Sequence, residues 1–197
     1  MKPLLDKTAL FISAATSPFV VFSVVGVATI SYYANNLREF FLWNSIFLFL
    51  TLIVPLLYIL QGVRTGRLTD LHLMLREQRL KPFVVSVVCN ILLIVIFYLL
   101  ELPKPIMILS TILLANEVIF LAITQFWKIS IHSATLAGSI TTAAVLIDSR
   151  FIALYLISPL SIWARVRRHR HNFLQGVAAT FLAISISMII FKLYGVM

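Results

Sequence analysis

Three short cationic clusters hold most of the chemistry-bearing side chains of this sequence. The first is Arg76-Glu77-Gln78-Arg79-Leu80-Lys81-Pro82. The second is Lys128-Ile129-Ser130-Ile131-His132. The third, Arg165-Val166-Arg167-Arg168-His169-Arg170-His171, runs on into Asn172-Phe173-Leu174-Gln175. Their shared ingredients are guanidiniums, a hydroxyl and imidazoles. Guanidiniums present N–H forks that match phosphate oxygens. Imidazoles serve as nucleophile or proton donor near neutral pH. His171 and Gln175 are four residues apart, hence on one helix face. Gln175 there accepts a hydrogen bond from one ring nitrogen and leaves the other free to attack. Ser130, His132 and Ser133 sit at a helix start, where backbone N–H groups favour an anion. No cluster pairs carboxylates with His at metal-ligand spacing, so the chemistry expected is metal-independent and uses no cofactor.

The elements that must position these clusters are set by composition. Apolar residues make up 61% of the 197 residues and charged residues 12%, against roughly 25% charged in a soluble domain. That imbalance makes lipid the expected solvent. Apolar segments run over 18–34, 41–63, 83–100, 105–126, 131–147, 151–164 and 172–194. The expected fold class is all-α: a polytopic transmembrane helical bundle of six to seven membrane segments, forming one integral membrane domain over 1–197. The longer stretch 9–34 is expected to break or kink at Ser17-Pro18. The segments flanking Asp148-Ser149-Arg150 are short, either tilted spans or a hairpin that stops part-way. Within the polar loop 64–82, a short interfacial helix is expected with Leu71, Met74 and Leu75 on one face. Lys2 and Lys7 precede an apolar stretch without a cleavage site, so no cleavable signal peptide is expected. The single Cys89 reads as a small buried hydrophobe.

The net charge of +9 would suit a nucleic-acid partner, but its distribution excludes one, because the cations sit in short loops between apolar segments. With seven crossings, twelve of the sixteen cations fall on one side, within 2–7, 64–81, at 128 and within 165–170. The positive-inside rule assigns that side to the cytoplasm, unless phosphate chemistry placed them there. An even number of crossings separates the three clusters, so one pocket can gather them.

These clusters resemble the signature of the type 2 phosphatidic acid phosphatases (PAP2), which reads Lys-x6-Arg-Pro, then Pro-Ser-Gly-His, then Ser-Arg-x5-His-x3-Asp. Arg165, His171 and Gln175 reproduce the spacing of the third part, with Ala164 in place of Ser and Gln175 in place of Asp. Ser130-x-His132 matches the second, with Ile129 and Ile131 in place of Pro and Gly. The first is degenerate: Arg79 lies two residues further from Pro82 than the pattern asks, and His72 stands where the distal Lys would be expected. The resemblance covers roughly residues 64–180. It implies a membrane-embedded phosphatase acting on a lipid phosphomonoester or isoprenoid (di)phosphate. In that scheme His171 is the nucleophile that becomes phosphohistidine, and His132 the acid and then base. Arg165, Arg79 and Ser130 hold phosphate oxygens, with Lys128, Arg76 and Lys81 as further contacts, and Gln175 orients His171. The implied partner is a membrane lipid substrate, and the expected location is a prokaryotic cell membrane.

The rival reading is a non-catalytic homologue that binds or flips a phospholipid, favoured by the neutral amide of Gln175. A basic loop that only touches lipid headgroups would also explain the third cluster. Glu117, inside an apolar segment and 11 residues before Lys128, lies ~16 Å from it along a helix. Its expected role is a hydrogen bond to another helix, through Asn90.

Overall fold

The computed structural model describes residues 2–70 and 75–196. Among the described residues the chain is all-helical, with no strand. The helices are α1 (Lys2–Ala15), α2 (Pro18–Tyr33), α3 (Leu37–Leu48), α4 (Val54–Arg64), α5 (Leu80–Leu99), α6 (Lys104–Thr124), α7 (Ile131–Leu146), α8 (Ser158–Arg167) and α9 (Phe173–Leu193). A π-helical segment, Phe49–Ile53, joins α3 to α4, and 3₁₀ segments cover Arg76–Gln78 and Ser149–Ile157. Among the described residues, four helices are long and apolar enough to cross a bilayer: Leu37–Arg64, α5, α6 and α9. The pair α1 and α2, bent by 41°, makes a fifth if it is one span. These helices fit an integral membrane protein.

The chain forms two compact units, Met1–Val25 with Lys128–Met197, and Gly26–Trp127. In the second unit, the continuous helix Leu37–Arg64 carries one π turn. There the Val54 N–H reaches back five residues to the Phe49 carbonyl. The Thr51 hydroxyl donates to the Phe47 carbonyl at 2.7 Å, covering a group that has no water to turn to. Pro55, without an N–H, follows directly. α4 and the π segment pack on α5, and α5 on α6. The α5–α6 turn passes through Glu101, whose φ of 55° is left-handed.

Across that α5–α6 pair sits a polar clamp. Glu117 accepts from Ser86 Oγ at 2.9 Å and from Asn90 Nδ2 at 2.8 Å. The expected bond to Asn90 is therefore present, with Ser86 as a second donor. A carboxylate on a membrane helix is tolerated where it is paired in this way.

In the first unit, α7 buries twelve of its sixteen residues, which makes it the central helix. It packs against α9, the 3₁₀ segment and α8, and α8 packs on α1. Small residues bring α7 and α9 together, with Gly138 opposite Ala183 and Ser187, the close approach that membrane helices favour. α7 spans only ~24 Å at 1.5 Å per residue.

The expected break at Ser17-Pro18 is present, and Ser17 caps the new helix through Val20. The apolar segment 151–164 is not one α-helix. A nine-residue 3₁₀ stretch precedes α8, and Pro159 sits in the first turn of α8, where a missing N–H costs nothing. The expected interfacial helix falls largely on residues 71–74, outside the described residues, as does His72.

Candidate functional site

In the first unit the chain turns at Asp148 and runs back along α7. Tyr155 Oη lies 2.6 Å from Thr141 Oγ and donates to the Ala137 carbonyl at 3.2 Å. The 3₁₀ segment leads straight into α8, so the C-terminus of α8 lies toward the N-terminus of α7. α9 then reverses again, held to α8 where Gly176 meets Ile162. Ser130 and His132 at the start of α7, Arg165 near the end of α8 and His171 just before α9 thus belong to one end of this unit. All four are buried.

α1 is antiparallel to α8 and joins the same end. Thr16 Oγ lies 3.2 Å from Ser161 Oγ, Arg165 Nη1 donates to Ser13 Oγ at 2.9 Å, and Arg167 pairs with Asp6 at 2.8 Å. Arg168 Nη1 also donates to Ser13, at 3.0 Å. Burial, and after it the like charge of Arg170, pulls the Arg168 guanidinium below its ordinary range.

Local sequence explains how His171 is held. Asn172 caps α9, its Oδ1 accepting from the Gln175 N–H at 2.8 Å. Gln175 Oε1 returns to the Asn172 N–H at 3.1 Å, completing a capping box. The same oxygen lies 3.1 Å from His171 Nδ1. Because it accepts from a backbone N–H, this atom is the amide oxygen and not the nitrogen. An acceptor at Nδ1 requires the proton there, which makes Nε2 the unprotonated nitrogen of the neutral ring.

Ser130 caps α7, accepting from the Ser133 N–H at 3.4 Å, with the two hydroxyls 3.1 Å apart. Lys128, two residues earlier, is half-buried. Arg76, Arg79 and Lys81 belong to the second unit. Arg79 is buried at the start of α5, and Lys81 is exposed in its first turn. Burial lowers the Arg79 guanidinium from its ordinary range, and the Asp70 carboxylate opposes this.

Ser13 lies outside the three sequence clusters, and Arg168 belongs to the third without a role of its own there. A signal existed: Ser13, Thr16 and Ser17 form a small polar stripe at helical spacing inside an apolar run. Asn172-x-x-Gln175 is likewise a legible capping pattern, so Gln175 has a structural duty besides its bond to His171.

No family model matches this chain, and neither a curated protein nor a solved structure does.

Proposed function

We propose that this chain is a membrane-embedded, PAP2-type phosphatase of six to seven crossings that hydrolyses a lipid phosphomonoester or isoprenoid (di)phosphate. The observation that carries the reading is the bond from His171 Nδ1 to an amide oxygen held by its own capping box. It makes Nε2 the unprotonated ring nitrogen, one residue after the cationic run 165–170, and in-line attack on phosphorus needs such a nitrogen.

In the proposed reaction, Nε2 of His171 forms a bond to phosphorus as the bond to the ester oxygen breaks. His132 gives its proton to the departing oxygen. It then takes one from water, which cleaves the phosphohistidine and releases phosphate. Arg165 and the Ser130 turn hold the oxygens, and the positive charge stabilises the transition state. Lys128, of the same unit, is a further phosphate contact in this scheme.

Gln175 favours a second reading. A neutral amide adds no charge to stabilise an imidazolium, and the capping box alone accounts for its presence. Under that reading the chain binds or flips a phospholipid without turnover. The deciding experiment is phosphate release by the purified protein from a panel of lipid phosphates, with chelator present and His171→Ala as control. Release that His171→Ala abolishes supports the phosphatase. No release from any of them, or equal release by the variant, overturns it.

A further inference from the structure

Glu117 on α6 carries a negative charge that no cation answers among the described residues. Its carboxylate accepts from Ser86 Oγ at 2.9 Å and from Asn90 Nδ2 at 2.8 Å, and both donors are neutral. The ion pairs of the described residues lie elsewhere, at Arg150–Asp148 and Arg167–Asp6. Neutral donors satisfy the oxygens and leave the charge. A charge in so apolar a place is paired or holds a metal ion. Cys89, next to Asn90, feels the same charge and supplies none in return. A second need lies within the same clamp. Asn90 is 2% exposed, and its Oδ1 is buried with no hydrogen-bond partner among the described residues. A stranded acceptor and an unbalanced carboxylate call for the same thing, a positive charge.

We infer that Glu117, Asn90 and Ser86 form a binding site for a monovalent metal cation between α5 and α6. Glu117 provides two oxygens and Ser86 its hydroxyl. Asn90 Nδ2 lies 3.3 Å from the Ser86 carbonyl as well as 2.8 Å from Glu117. Turning that amide over about χ2 therefore brings Oδ1 in among these oxygens. The Ser86 hydroxyl keeps its proton on Glu117 and offers a lone pair to the ion. Carboxylate, hydroxyl and carbonyl oxygens are the ligands of hard cations. The single carboxylate sets the charge of the ion. A monovalent ion leaves the cluster neutral, whereas a divalent ion would leave a net positive charge in an apolar seam. Glu117 is half-buried and seven residues before the end of α6 at Thr124, ~10 Å along the helix, so the ion enters from that end. The site belongs to the second unit and does not rest on the phosphatase reading.

The test uses the full chain, purified in detergent with choline as the sole small cation, at constant ionic strength. Thermal unfolding is followed as sodium or potassium replaces choline. In parallel, dicyclohexylcarbodiimide, which attacks protonated carboxyls, is added and the labelling of Glu117 is read by mass spectrometry. The expected result is a melting temperature that rises to saturation with sodium or potassium, and labelling slowed at least tenfold by the same ion. The tighter of the two names the occupant. Glu117→Gln keeps a side chain of the same shape and abolishes the response. Ser86→Ala and Asn90→Ala leave the charge in place and each weaken the apparent affinity at least tenfold. Unfolding and labelling that ignore both ions overturn the site. So does an ion response that survives in Glu117→Gln, because the ion then binds elsewhere, and so does unchanged affinity in both Ser86→Ala and Asn90→Ala. Labelling that follows pH but neither ion makes the proton the only occupant and overturns the metal site. A response to calcium alone overturns the monovalent assignment.

Discussion

Asn90 on α5 donates its amide to Glu117 on α6 at 2.8 Å, and Ser86, one turn before Asn90, donates to the other carboxylate oxygen. Asn90→Leu leaves that carboxylate with one donor and lowers the melting temperature. In a double-mutant cycle with Glu117→Leu, the expected coupling is ~0.6–1.7 kcal/mol, between the average and the maximum measured for hydrogen bonds between membrane helices. Glu117→Leu alone should cost more than the double variant, since it takes the acceptor from two donors, the buried Asn90 and the half-buried Ser86, instead of one. A coupling of zero in the cycle removes the clamp.

Gln175 has two duties that can be separated. Gln175→Glu keeps an oxygen for both the Asn172 N–H and His171 Nδ1, and its charge favours a cationic ring. It should retain or raise turnover. Gln175→Leu removes both bonds and should lower turnover tenfold or more, up to the ~10⁴ expected of a wrong tautomer, with little change in KM. Asn172→Ala loosens the helix cap by about 1 kcal/mol while leaving the His171–Gln175 bond. If Asn172→Ala reproduces the kinetic loss of Gln175→Leu, the amide acts only through the cap. Nitrogen NMR of labelled His171 should find the neutral ring protonated at Nδ1.

Two glycines should respond oppositely to alanine. A Cβ at Gly26 would overlap the ring of Phe47, which is fully buried. Gly26→Ala should therefore cost about 1–3 kcal/mol, as overpacking does. At Gly138 the nearest atoms, Ala183 Cβ and Ser187 Oγ, stand 3.8 Å away. Gly138→Ala should be neutral, or stabilising by up to ~1 kcal/mol. Thermal unfolding of both variants checks the pair.

The turn after α7 carries a pH dependence of defined sign. Hydrogen bonds from the Arg150 side chain and backbone hold the Asp148 carboxyl down at about 2. A carboxyl depressed in the folded state contributes stability above its unfolded pKa of ~3.9, and loses it as pH falls through the folded value. The window is thus from about pH 4 down to about 2. Carbon NMR of Asp148 should show titration near the lower figure in wild type and near ~4 in Arg150→Ala. Equal values would dismiss the ion pair.

What the sequence discloses here is mostly local. The i, i+4 relation of His171 and Gln175, the break at Pro18, and the need of Glu117 for a polar partner each follow from neighbours or from the cost of charge in lipid. Asn90 was legible as that partner because few polar side chains share the apolar segments. Ser13 was not, since 152 residues separate it from Arg165 and no periodicity links α1 to α8. The 3₁₀ stretch Ser149–Ile157 was also hidden, because a short apolar run reads alike as α or 3₁₀. The 151–164 segment therefore reads in sequence as a tilted span or part of a hairpin that stops part-way, whereas Pro159 in fact opens a new helix after the 3₁₀ stretch.

The π turn at Phe49–Ile53 bears on how the length of this span can vary. In an α-helix each residue rotates everything after it by ~100°, so a one-residue deletion normally swings the buried face of a span into lipid. A π turn already holds one residue beyond the α repeat. Losing a residue between 49 and 53 lets the turn tighten to α-helix, while Trp43 and Phe47 before it and Ile59 and Gly62 after it keep facing inward. Among homologous genes, codon loss in this span is then expected at these five positions and nowhere else along Leu37–Arg64.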